Sequence, residues 1–420
     1  MLKQREKNGK VETVNKLGDD KLILFGAAQT RVFQWIIRNY AANIKFIIDN
    51  DEAKWGTHIN GIEIKSVDSL VEEKGEYQII ITTHSYWKEM KEQLRGMNME
   101  AIIAEKEIPF FSSKDFLIQY AKEDYHITHC SYEQFLPKDK VYTYDSDYMN
   151  WGEHAEWLED LDYVVRDSKG VVMIKYDNQE VYNPVAICEW VLTLWGQYLN
   201  GIKSKKEFLD AAELLSEFQN EDGSFRYNYD YAYYLNEENY FRSGWVSGMA
   251  QGHALSVYAR AYNITGDNKW LVLAKKVVEF MCIDVNEGGV KSNLQYLNQE
   301  LSEYITIEEW PVIPSSYTLN GFMYAIIGLY DWSCTKTESG KKARSMYDKC
   351  IITLKKILPL YDVNGMSSYD LGHIIYKTEF PNISAHYHSV HVAFCYIFYY
   401  LTNDSIFREY YERWRNAVKQ

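Results

Sequence analysis

The chain has 420 residues, of which 46% are hydrophobic and 25% charged, and its formal net charge is −14. That length points to two or three domains with sizeable cores. The acidic balance disfavours nucleic acid as a partner and obliges any polyanionic ligand to find a local basic groove, while the lack of any run of about 18 apolar residues argues against a membrane span. The polar start MLKQREKNGK leads into no apolar run, so no signal peptide is expected. Cys130, Cys188, Cys282, Cys334, Cys350 and Cys395 are scattered without a CxxC pair. Neither a zinc site nor a disulfide framework is indicated, and the reading is a cytoplasmic protein. With 36 Tyr and 12 Trp the chain is rich in aromatic residues. Most are expected in the core, and the remainder suit stacking on sugar rings.

Residues 1–108 alternate short apolar runs with helical stretches. KLILFG (Lys21–Gly26) is followed by helical QTRVFQWIIRNY and by IKFIIDND (Ile44–Asp51). GIEIKS, helical VDSLVEE, YQIIITT (Tyr77–Thr83), a helix near Lys88–Arg95 and MEAIIAE complete the unit. Continuous apolar strands between helices imply a parallel sheet covered on both faces, a Rossmann-like α/β unit. Its first loop, Gly26-Ala27-Ala28-Gln29-Thr30-Arg31, keeps only the first glycine of GxGxxG. Backbone N–H groups from Gly26 and Ala28 to Arg31 could hold a phosphate, with Asp49 or Asp51 reaching a ribose. A nucleotide or nucleotide-sugar is the ligand such a loop would take. A structural module without a ligand fits the same residues equally well.

Residues 109–182 read as a linker and a β-hairpin region. TYDSDYM and DYVVRDSKGVVMIKYD (Asp162–Asp177) alternate at period two, with Asp167-Ser168-Lys169-Gly170 as a turn. Residues 183–420 then become helical pairs. The first helix of each pair is apolar nearly all round: PVAICEWVLTLWGQYL, GWVSGMAQGHALSVYARAY, YTLNGFMYAIIGLYDW and HSVHVAFCYIFYY. The second is amphipathic, as in SGKKARSMYDKCIITLKKIL. Buried helices inside and amphipathic helices outside suggest an incomplete α/α toroid with its site in a cleft at one end. The fold class expected is therefore multidomain, α/β followed by mainly α.

Three blocks in the helical part carry a resemblance. They are Gly244-Trp245-Val246-Ser247-Gly248-Met249-Ala250-Gln251-Gly252; Glu308-Glu309-Trp310-Pro311 with Pro314-Ser315-Ser316-Tyr317-Thr318-Leu319-Asn320-Gly321-Phe322-Met323-Tyr324; and Ser368-Tyr369-Asp370-Leu371-Gly372-His373 with Tyr387-His388-Ser389-Val390-His391. In order and spacing they resemble the D-glucuronyl C5-epimerase family. The resemblance implies inversion at C5 of uronic acid residues in an oligo- or polysaccharide, without a required cofactor. It assigns acid/base work to tyrosines at the positions of Tyr369 and Tyr387. Separate loops would bring these two to opposite faces of one ring. Substrate contacts are expected from Glu309, Trp310, Asn320, His373, His388 and His391. Two positions depart from the family pattern: Trp310 stands where EEYP has tyrosine, and Gly372 where YDLRH has arginine. The stretch Arg226–Tyr231 with Arg242 is a candidate source of a substitute base and cation.

C5 inversion requires removing a weakly acidic proton beside a carboxylate and returning it on the other face. The site must stabilise an enolate dianion and supply a base and an acid. A polysaccharide lyase of the same fold, which expels the C4 substituent after the same proton abstraction, is the nearest alternative. A glycan-binding protein without turnover is the other, and a homodimer is compatible with all three.

Overall fold

The computed structural model describes residues 17, 21–28, 30–83, 85–127, 131–138, 141–153, 161–176, 179–235 and 240–419. Gln29 of the first loop, Cys130 and the MLKQREKNGK stretch lie outside the described residues. The chain forms two compact units, Met1–Glu123 and Asp124–Gln420.

The first unit is built on β1 (Leu22–Phe25), α1 (Arg31–Tyr40), β2 (Ile44–Ile48), β3 (His58–Ile59), β4 (Ile62–Lys65), β5 (Gln78–Ile81), α2 (Trp87–Gly96) and β6 (Ile102–Ile103). The sheet runs β3-β4-β2-β1-β5-β6, with β4-β2-β1-β5-β6 parallel and β3 antiparallel on the edge. Alternate residues of β1 face opposite cores: Leu22 and Leu24 pack with Val32, Phe33 and Ile36 of α1, while Ile23 and Phe25 pack with Met90 and Leu94 of α2. Both faces are thus buried, which is why this strand reads as a continuous apolar run. Thr30 caps α1 through the Phe33 N–H. Phe111, Phe116 and Tyr120, which the sequence places in a linker beginning at 109, pack in the α1 core. Aromatic residues in that stretch keep it with the sheet, so the compact unit reaches residue 123 rather than 108.

In the second unit, β7 (Val164–Arg166) and β8 (Val172–Tyr176) form the expected hairpin, joined by a third strand, β9 (Gln179–Val181). TYDSDYM is not a strand: its Tyr148, like Tyr142 just before it, is buried among helices, Tyr142 donating to Asp331 and the Tyr148 hydroxyl standing 3.0 Å from His253 Nδ1.

Four helix pairs follow, as the repeat implies: α3 (Pro184–Leu199) with α4 (Lys205–Ser216), α5 (Gly248–Thr265) with α6 (Asn268–Phe280), α7 (Leu319–Ser333) with α8 (Glu338–Ile357), and α9 (Ala385–Thr402) with α10 (Ser405–Ala417). The apolar members pack side by side, α3 on α5, α5 on α7 and α7 on α9, and each amphipathic member covers its partner. Asn183, Ser204, Asp267, Thr337 and Asp404 supply side-chain N-caps that fix where five of these helices start. The α5–α7 contact is close enough to require glycine: a Cβ on Gly252 would stand 2.6 Å from Ala325 Cα, and one on Gly328 would stand 2.0 Å from the Gly252 oxygen. The MAQG signature is therefore a packing device here. Among the described residues no helix is long and apolar enough to cross a membrane.

Candidate active site

At the N-terminal ends of the apolar helices a cavity of about 350 Å³ opens. A space of that size accommodates a sugar ring. Its walls carry Glu189 of α3, Tyr227, Tyr229 and Tyr231, Trp245, Glu309 and Trp310, Asn320 of α7, Tyr369, and His386 and Tyr387 of α9. Each residue arrives by a local device. Tyr227 pairs with Trp245 across a short antiparallel ladder that also places their rings 3.7 Å apart, nearly parallel. Trp310 lies flat against Tyr231 at 5.3 Å and near Trp245 at 5.6 Å, completing an aromatic wall. Such a surface suits the C–H face of a pyranose, while the Trp245 indole N–H is already donated to the Tyr229 carbonyl at 3.1 Å. Glu309 lies on Gly321, where a Cβ would come within 2.3 Å of its carboxyl oxygen, so the glycine of the LNGF run makes room for the acid.

At the centre, the Tyr369 hydroxyl donates to Glu309 Oε1 at 3.0 Å and accepts from the Trp310 indole N–H at 3.1 Å. Burial pushes Glu309 up to about 7 against the opposing pull of the Tyr369 hydrogen bond. Burial, and then the charge on Glu309, hold the Tyr369 phenol well above its ordinary range, and the Trp310 donor offsets this only in part. Such a phenol does not ionise alone. It can take a proton only as it hands its own to Glu309. Trp310 itself cannot transfer a proton; its indole N–H donates to the phenol oxygen. Asn320, 4% exposed, lines the cavity and leaves its side-chain oxygen without a protein partner among the described residues.

Several expectations need correction. The rings of Tyr369 and Tyr387 touch, with centroids 4.3 Å apart and planes tilted by 40°, so no pyranose fits between them. Tyr387 belongs to the first turn of α9 rather than to a separate loop, and the two phenols stand side by side on one wall. His388 and His391 are fully buried away from the cavity. His388 Nδ1 accepts from the Ser367 N–H at 2.9 Å, its Nε2 meets the Trp414 carbonyl at 3.2 Å, and His391 Nδ1 bonds the Ser367 hydroxyl at 2.8 Å. These histidines join α9 to α10 and the preceding hairpin. His373 sits half-buried on the short Gly372–Ile375 turn and does not line the cavity. Arg242 is exposed and pairs with Asp230 at 2.9 Å, while Arg226 pairs with Asp222 at 2.7 Å. The Arg226–Tyr231 stretch thus contributes tyrosines to the site but no cation. At Gly372 a Cβ would lie 2.7 Å from Asp370 Oδ1 and 2.8 Å from Leu235, so a larger residue there would have to displace those two side-chain ends.

Sequence reading passed over Glu189, Tyr324 and His386, which share the cavity. Glu189 did carry a signal, being the lone charged residue in the apolar run of α3.

In the first unit the Asp49 carboxylate is already engaged. It accepts from the Ala27 N–H at 2.7 Å and the Asp51 N–H at 2.9 Å, with Lys54 Nζ at 3.3 Å. Thr30 Oγ1 donates to the Thr82 carbonyl and Thr82 Oγ1 to the Gly26 carbonyl, both at 2.8 Å, tying the β1 and β5 loops together. Asp49 therefore braces the Gly26–Ala28 loop instead of presenting itself to a ribose, and Arg31 stands exposed at the start of α1.

Residues 219–416 match the family model described as D-glucuronyl C5-epimerase C-terminus. A D-glucuronyl C5-epimerase of Caenorhabditis elegans is 35% identical over 182 residues, 41% of this chain and 28% of that protein. An uncharacterised protein of Methanocaldococcus jannaschii is 29% identical over 191 residues, 45% of this chain and 56% of that protein. The chain thus spans between about a quarter and just over half of the length of these relatives. Among solved structures, a cellobiose 2-epimerase of Bacillus thermoamylovorans superposes with a TM-score of 0.42 at 16% identity, over 64% of this chain and 69% of that one. The cavity residues from Tyr227 to Val390 all fall inside the segment that matches the D-glucuronyl C5-epimerase C-terminus model.

Proposed function

We propose that the protein inverts C5 of uronic acid residues in a glycan, glucuronyl to iduronyl, within this cavity, on the scaffold of an incomplete α/α toroid. The observation that carries the reading is the Trp310–Tyr369–Glu309 chain, a phenol held between a donor and a carboxyl that burial brings to about 7. As the C5–H bond breaks, its proton goes to the Tyr369 oxygen and the phenol's own proton goes to Glu309. The electron pair remains on C5 and the adjoining carboxylate as the enolate. Inversion then requires an acid on the opposite face of the ring to return a proton to C5, a position that Tyr387, side by side with Tyr369, does not occupy. The sugar stacks on Trp310, Trp245 and Tyr231, and Asn320 receives a hydroxyl.

A lyase would make the same enolate and then lose the C4 substituent. Incubation with glucuronate-containing polysaccharides, followed by NMR of the products and ultraviolet absorbance, separates the two. Iduronyl signals without an unsaturated uronate support the epimerase. An absorbing unsaturated product shows a lyase, and binding without either product shows a glycan-binding protein.

A further inference from the structure

An enolate-forming site for a uronate has to neutralise a carboxylate, yet among the described residues no Lys or Arg lines this cavity. What it offers is a second acid. Glu189 enters from α3, its side chain 17% exposed, and no protein hydrogen bond reaches its carboxyl among the described residues. Behind it, on α5, His253 is completely buried, with Nε2 at 4.0 Å from Glu189 Oε1. The other ring nitrogen, Nδ1, is 3.0 Å from the Tyr148 hydroxyl, which has no other acceptor among the described residues. Tyr148 therefore donates to Nδ1, and the neutral imidazole carries its proton on Nε2, facing Glu189. That nitrogen has no hydrogen-bond partner among the described residues and stands 4.0 Å from one carboxyl oxygen of Glu189, which itself lines the cavity.

We propose, resting on the uronate reading above, that Glu189 acts as a neutral carboxylic acid that donates a hydrogen bond to the substrate carboxylate, the task a cation would otherwise perform. A proton shared between a carboxyl and a carboxylate is a strong charge-assisted bond, and it strengthens as the enolate oxygens gain charge. Burial raises Glu189 to about 8, with the nearby Glu309 adding to the effect. Burial also lowers His253 to about 3, so no positive charge behind Glu189 favours its ionisation. The titratable groups facing Glu189 are His253 of α5, Glu309, Tyr387 of α9 and Tyr163 ahead of β7. Of these only Glu309 titrates near neutrality, which the test removes.

The test measures, by calorimetry between pH 6 and pH 10, binding of a glucuronate-containing oligosaccharide and its carboxyl-reduced analogue to Glu309→Gln. This variant holds the substrate without turning it over. The expected affinity for the uronate is level at low pH and then falls about tenfold per pH unit above roughly pH 8, as one bound proton is lost. The carboxyl-reduced analogue should bind more weakly and without pH dependence. In Glu309→Gln with Glu189→Gln, the amide still donates but cannot ionise, so uronate binding should stay level throughout. The proposal is overturned by level binding in Glu309→Gln, by the same alkaline loss in the double variant, or by equal binding of the analogue. Exchange at C5 by the wild type is scored separately. Exchange with level binding sinks the role of Glu189 alone, whereas proton-linked binding without exchange sinks the epimerase reading alone.

Discussion

The same helices hold two buried polar clusters that behave in opposite ways. Toward the C-terminal ends of α5 and α7, Arg260 and Asp331 are both fully buried and pair at 2.8 Å. Tyr142 donates to Asp331, and Arg260 also reaches the Ser256 and Ser146 carbonyls, so the charges are matched and bonded. Toward the N-terminal ends, Glu189 and Glu309 share a cavity whose described walls carry no Lys or Arg. Burial lifts Asp331 only to about 6 because Arg260 opposes it, while Glu309 reaches about 7 and Glu189 about 8. A paired buried charge holds helices in register, whereas unpaired carboxyls brought close to neutrality are poised to move or share protons.

If this contrast is right, variants at the two ends should fail in different currencies. The largest effect is expected at Tyr369→Phe, which keeps the ring and removes the hydroxyl between Trp310 and Glu309. Turnover should fall roughly 10²–10⁴-fold with little change in melting temperature. Arg260→Met should do the reverse at the other end. It leaves Asp331 buried without its cation and should cost about 3–5 kcal/mol in a denaturant titration, while folded protein keeps its pH profile. Equal loss of activity per folded molecule in both variants would break the comparison.

The pH dependence sharpens it. The proposed mechanism needs Glu309 ionised and Glu189 protonated, so activity should rise through about pH 7 and fall above about pH 8, the two limbs belonging to the coupled pair. Stability follows the opposite logic at Glu189. An acid whose folded pKa lies above its unfolded value loses stability as pH climbs from the unfolded to the folded value. Glu189→Gln should therefore stabilise the protein at pH 9, on the order of 2 kcal/mol, as it abolishes the alkaline limb. The smallest effects are expected at Trp310→Phe, which loses one hydrogen bond to the phenol and some stacking area, about 1 kcal/mol or several-fold in activity. Arg242→Ala, exposed and outside the cavity, should change activity by less than about twofold.

Much of this was legible in the sequence, for identifiable reasons. Four apolar helices each followed by an amphipathic one announce an inner and an outer layer, because burial on all sides and burial on one side leave different patterns. Glu309, Trp310, Asn320, Tyr369 and Tyr387 come together because short motifs at helix starts all project toward one end. What the sequence hid was direction. A helix turns His388 about 100° from Tyr387, whereas His391, four residues on, keeps nearly the angle of Tyr387 but stands one turn further along α9, against Ser367 and Trp414. The side-by-side placement of Tyr369 and Tyr387 depends on contacts between segments far apart in the chain. TYDSDYM misled because alternation arises from burial, and burial here was by helices rather than by a sheet. Asp49 ends its strand where a ribose ligand would be sought, but only the fold shows its carboxylate bonded to the Ala27 N–H.

The most direct test of the central claim is solvent exchange at C5. Wild-type protein, Tyr369→Phe and Glu309→Gln are each incubated with a glucuronate-containing polysaccharide in heavy water, and C5 is followed by NMR. The account predicts deuterium at C5 in both glucuronyl and iduronyl residues for the wild type, reduced at least about 100-fold in each variant. An active wild type whose two variants exchange at near-normal rates would contradict it.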